Sequence, residues 1–162
     1  MNSKTRKFMM LAAVVLTFCL FSFEQSTLAQ LSLHNNCRQV KGNLIEVGNP
    51  NGTTGTITNG GILNGTTELL YTSGILPTPD PDVFSYTTAV TITTRYGQLK
   101  TGNVGIFDTG TGVFSEIGRI NPKTSTGRFA GATGVLFTNG RTTDGGVTFQ
   151  SRIGGEICFE HD

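Results

Sequence analysis

All 22 glycines of this chain lie beyond residue 29, and threonine accompanies them at comparable density. That pairing is the strongest constraint on the fold. Glycine in a helix interior costs about 1 kcal/mol relative to alanine, and β-branched threonine is also a poor helix former. The Val, Ile, Leu and Phe residues that recur between the glycines argue equally against a disordered tract. An all-β domain fits both observations, with alternating apolar residues on strands and glycine at turns and bends.

The first 29 residues read differently. Lys4, Arg6 and Lys7 make a basic start, Phe8 to Phe23 is almost wholly apolar, and Thr27-Leu28-Ala29 ends on a small residue. That order is a secretory signal peptide, with cleavage expected after Ala29. The apolar run is short for an uncleaved membrane span of roughly 20 residues. Cys19 follows Phe18 rather than a small residue, which argues against a lipoprotein. The expected product is secreted or periplasmic, without a stable membrane anchor. It comprises an N-terminal segment, residues 30–42, and one β domain, residues 43–162. Of the 12 Lys and Arg, three precede Ala29, as does one of the 11 Asp and Glu. The remainder is near neutral and has no basic patch, so no nucleic-acid partner is expected.

Short alternating runs with turn residues between them mark a sandwich or barrel. Leu44–Val47 reads as a first strand and Gly55–Leu63 as a second, bent at Gly60-Gly61. Asn64-Gly65 reads as a hairpin turn, since both central positions of that turn need positive φ. Thr66–Thr72 returns. The alternate prolines of Leu76–Asp82 keep that loop out of any central strand. Val83–Tyr96 is the clearest strand, with Phe84, Tyr86, Val90 and Ile92 on one face. Leu99–Asp108, Val113–Ile120, Arg128–Thr138 and Val147–Phe159 complete about eight strands. The Asn51 and Asn64 Asn-Gly-Thr triplets match glycosylation acceptors, but their turn role accounts for them.

The segment Thr124–Gly140, TSTGRFAGATGVLFTNG, is not a phosphate loop. Lys123 precedes its glycines, and the residues after them are β-branched and aromatic rather than helical in pattern. As a strand, its small residues permit the sharp coiling that closes a small barrel. GRFAGATG, together with Gly61-Ile62-Leu63-Asn64-Gly65-Thr66-Thr67 and Tyr96-Gly97, resembles the allene oxide cyclase and dirigent superfamily, most closely its secreted bacterial members. Their Gly-Gly-Thr-Gly start appears here as Thr124-Ser125-Thr126-Gly127. The resemblance spans roughly Asn43 to Cys158. It implies an eight-stranded antiparallel β-barrel of calycin-like shape with a central cavity.

Cys37 and Cys158 are the cysteines left after cleavage, and an exported two-cysteine domain most simply makes one disulfide. They flank the first and last strands, which are neighbours in a closed barrel. Closing a loop of about 120 residues is worth roughly 4 to 5 kcal/mol on chain-entropy grounds. His34 and His161 each lie three residues outside a cysteine, an arrangement that allows a zinc set. Oxidation of the thiols on export is the stronger reading, so no metal and no cofactor are expected. With both histidines near the termini, no Ser- or Cys-based hydrolase site is expected. Candidate ligand-binding residues are Tyr86, Tyr96, Glu116 and Arg119. Glu116 shares a face with Phe114 and Ile120, while Arg119 alternates with Val113 and Ile117. Either charge can point into a cavity, although the outer face is the commoner place for one.

Three function classes are compatible with these residues. The first is a barrel binding a small apolar molecule in its cavity. The second is a cyclase- or isomerase-like enzyme acting by shape on an apolar intermediate. The third is a structural or surface-interaction barrel with a filled interior. A homo-oligomer is compatible with all three.

Overall fold

The computed structural model describes residues 36–160. The segment read as a signal peptide, with Ala29 and Cys19, and both histidines, His34 and His161, lie outside them. The described chain is all β. Its strands are β1 (Asn36–Asn49), β2 (Gly52–Thr58), β3 (Gly65–Tyr71), β4 (Leu76–Pro77), β5 (Val83–Thr94), β6 (Gly97–Asp108), β7 (Val113–Ile120), β8 (Thr133–Thr142) and β9 (Thr148–Phe159). Eight of them form a closed antiparallel barrel in the order β1-β2-β3-β5-β6-β7-β8-β9, and β9 returns to β1. The ninth, β4, pairs with β5 beyond the end of β3, through Leu76 opposite Ser85 and Pro77 opposite Phe84. A proline is tolerated there because the short strand lies at an edge.

The seam between β1 and β9 runs in register from Asn36 opposite Phe159 to Val47 opposite Thr148. Cys37 stands directly opposite Cys158, and the two sulfurs are bonded, with the Cα atoms 3.9 Å apart. The first strand therefore starts at Asn36, well ahead of the expected Leu44. Residues 36–43 carry almost no apolar signal because their strand character comes from backbone pairing with β9, while most of their side chains face water.

One end of the barrel is filled with apolar side chains. Leu44, Ile57, Ile92, Leu99, Ile120 and Ile157 are buried there. Two 3-10 turns, Gly61–Leu63 and Gly127–Phe129, each bury one large residue in this cluster, Leu63 and Phe129. Both turns replace expected strand. The second strand stops at Thr58, and Asn64 has φ −55°, so Asn64-Gly65 is not a positive-φ hairpin pair. The chain reverses instead through Asn59 (φ 55°) and Gly61 (φ 61°). The Asn64 side chain secures the turn by accepting from the Gly60 N–H at 2.7 Å. Likewise, only the second half of the expected Arg128–Thr138 strand is extended. Gly127 (φ 63°) starts the turn that carries Phe129 inward. A Cβ at Gly127 would stand 2.3 Å from the Tyr96 carbonyl oxygen and 2.9 Å from Gly97 Cα, so both φ and close backbone approach require glycine.

Candidate functional site

The opposite half of the barrel interior is polar and then aromatic. Inward positions alternate along every strand, and three of them in this half are glycines flanked by polar side chains. Tyr86, Gly105 and Glu116 stand in one row across β5, β6 and β7. Without a side chain on Gly105, the Tyr86 ring lies over it, and an added Cβ would sit 2.4 Å from Tyr86 Cζ. Glu46, Gly55 and Thr67 make a second row across β1, β2 and β3, with Glu46 Cγ 2.5 Å from the position of a Cβ on Gly55. Asn103 covers Gly118 in the same manner, its Oδ1 2.4 Å from a Cβ there. These glycines provide room for large polar groups inside a narrow barrel.

Two carboxyl groups result, both buried. Glu46 is 4% exposed and Glu116 is 8% exposed. The Thr53 hydroxyl donates to Glu46 Oε1 at 2.7 Å. The Asn103 amide donates to Glu116 Oε2 at 2.9 Å, and its own Oδ1 accepts from the Thr101 hydroxyl at 2.6 Å, which fixes the amide orientation. Burial raises the proton affinity of both acids above the ordinary carboxyl range. For Glu46 the Thr53 hydrogen bond opposes that rise and the Glu116 charge adds to it. The Tyr86 phenol is also pushed well up, first by burial and then by the Glu116 charge, so it remains a neutral hydroxyl beside that acid. Tyr71 is raised for the same reasons.

Above the acids lies a cavity of about 240 Å³. Its wall is a run of rings in successive contact. Tyr71 meets Tyr86 edge-on at 5.8 Å, Tyr86 meets Phe84 at 6.1 Å, and Phe84 meets Phe107 at 5.3 Å. Phe107 then meets Phe149 at 6.5 Å, and Phe149 meets Phe114 at 5.6 Å. Gly145 and Gly146, in the β8–β9 turn, form part of the lining. Asp144 orders that turn by accepting from the N–H groups of Val147 and Thr148 at 3.1 and 2.8 Å. On the other side of the acids is a smaller chamber of about 20 Å³, which Glu46, Glu116, Thr67, Thr101, Asn103 and Thr138 share with apolar neighbours.

Of the four residues anticipated as ligand-binding, the fold brings Tyr86 and Glu116 together at this cavity. Glu116 points inward, not to the commoner outer face. Tyr96 stands at the filled end, half-buried against the core, with the Arg95 guanidinium 4.7 Å above its ring. Arg119 is exposed on the outer face of β7. Glu46, Thr53, Asn103 and the phenylalanines were not anticipated. Parity along the strands was the available signal: Glu46 is two residues from Leu44, and the alternate positions Gly105, Gly118 and Gly55 mark the inward face. The sulfurs of Cys37 and Cys158 are bonded to each other and offer no thiolate pair for zinc.

No protein-family model, curated protein or solved structure matches this chain.

Proposed function

We propose that this protein is an exported barrel that binds a small, largely apolar molecule in the cavity between its aromatic wall and the Glu46–Glu116 floor. The single observation behind this reading is the unequal filling of the interior. One half is packed solid around Leu63 and Phe129, while the other keeps about 240 Å³ lined by six rings and two hydrogen-bonded acids. Concave apolar sites with a few convergent polar groups are the usual form of small-molecule sites. A bonded cysteine pair fits an oxidising compartment outside the cytoplasm. The sequence likeness to secreted bacterial members of the allene oxide cyclase and dirigent superfamily fits the same reading.

Native mass spectrometry of the protein purified from its export compartment tests it. A mass adduct that disappears on denaturation is expected. Bare protein under all conditions, with no uptake of small aromatic molecules, overturns the reading.

A cyclase- or isomerase-like activity has one specific observation in its favour. Glu116 is a buried acid with raised proton affinity, placed beside a neutral tyrosine hydroxyl. An acid and a neutral hydroxyl side by side are the kind of pair that can pass a proton to an intermediate held against them.

A further inference from the structure

The cavity combines two features that share one electrostatic sign. Among the described residues, its lining contains two carboxyl groups, six aromatic rings and no lysine or arginine. The face of each ring carries the negative part of its quadrupole and attracts a cation brought within about 6 Å. Thr53 donates to Glu46 and Asn103 to Glu116, the Thr67 and Tyr86 hydroxyls lie beside the same two carboxyls, and both acids border the cavity.

We propose that the cavity takes a small organic ammonium ion, with its cationic head between Glu46 and Glu116 and its apolar body against the rings of Phe84, Phe107, Phe114 and Phe149. This inference rests on the small-molecule reading above and names the class of molecule. A neutral ligand would fill the volume but supply no counter-charge to two neighbouring acids whose ionised forms burial disfavours. An anion would add a third negative group. A monocation supplies that counter-charge and meets the ring faces at the same time.

The test is calorimetric titration of the disulfide-bonded mature protein at pH 7.5 with choline and with its uncharged isostere, 3,3-dimethylbutan-1-ol. Choline is expected to bind at least roughly ten-fold more tightly than the alcohol, the preference that a desolvated cation–π site gives. Glu116→Gln keeps an acceptor for Asn103 and is expected to bring the ratio close to one without weakening the alcohol. Glu46→Gln is the second variant should the first not fold, and the wild-type ratio stands without either. Equal or tighter binding of the alcohol overturns the ammonium inference and leaves the small-molecule reading in place. Choline binding unmoved in both folded variants also overturns it. A protein that takes up neither probe refutes the inference, and if native mass spectrometry also finds no adduct, the broader reading falls too.

Discussion

The ring of Tyr86 occupies the space that a side chain on Gly105 would need: a Cβ there would stand 2.4 Å from Tyr86 Cζ and 2.7 Å from its hydroxyl oxygen. The two residues are direct partners across β5 and β6, and Glu116 is the next residue in the same row. Gly105→Ala must therefore push the ring aside. A loss of about 1–3 kcal/mol is expected from such overpacking. In a Tyr86→Ala background the same substitution is expected to cost far less, because the obstruction is gone. Urea denaturation of the four proteins in that double-mutant cycle measures the coupling, and additive effects would mean that Tyr86 does not rest on Gly105.

The acids at the cavity floor predict a pH dependence. Burial raises both Glu46 and Glu116 above the ordinary value of 4.5, so between that value and the raised one the folded protein holds more protons than the unfolded chain. Stability attributable to them is greatest below about 4.5 and declines as pH rises through this window, until both are ionised in the folded state. The other titratable groups facing them, Tyr71 and Tyr86, are themselves raised from 10.0 and stay neutral there. Asp108 and Asp144 are lowered from 3.8 by turn hydrogen bonds, so their opposite contribution falls at more acid pH. Glu116→Gln is expected to flatten the decline above pH 4.5. Urea midpoints across that range check it, and parallel curves for both proteins would refute it.

The Cys37–Cys158 bridge encloses nearly the whole barrel, with a sequence separation of 121. Alkylation of denatured, unreduced protein lacking residues 1–29 and made in an oxidising compartment is expected to find no free thiol. Replacing both cysteines by alanine is expected to cost about 2–4 kcal/mol while preserving the strand-rich circular dichroism spectrum. The β1–β9 ladder still closes the barrel without the bond. Two reactive thiols in that material would refute the bridge.

Gly134→Val joins two penalties at one position. Gly134 has φ 135°, which a β-branched residue avoids, and a Cβ there would lie 2.1 Å from the Glu156 carbonyl oxygen across β8 and β9. The expected loss exceeds about 1 kcal/mol, because strain and overpacking each reach that size. An unchanged denaturation midpoint and slope would show that the backbone there is relaxed.

Val83–Thr94 illustrates what sequence can convey about this barrel. Its apolar alternation marks Phe84, Tyr86, Val90 and Ile92 as one face, and that face points inward. The first strand was legible only near its end, at Leu44–Val47, because backbone pairing with a partner more than a hundred residues away leaves no local pattern. The 3-10 turns were hidden for a related reason. GRFAGATG has strand-like content, but burying Phe129 at the barrel's end requires the chain to leave the sheet and dip inward. At the site, Tyr86 and Glu116 were visible as candidates, whereas their meeting depends on Gly105 lying between them in the sheet. A glycine that matters by leaving space for a neighbour on another strand has no signature of its own in the sequence.

The plug made by Leu63 and Phe129 closes one end of the barrel, so the cavity is reached from the end that carries the Gly145-Gly146 turn. If the proposed small molecule binds there, it would have to leave by the way it came, past the Gly145-Gly146 turn. A second molecule could not then drive out the first from behind. Its residence time would be set at the rim, and any partner delivering or receiving it would have to approach that same rim.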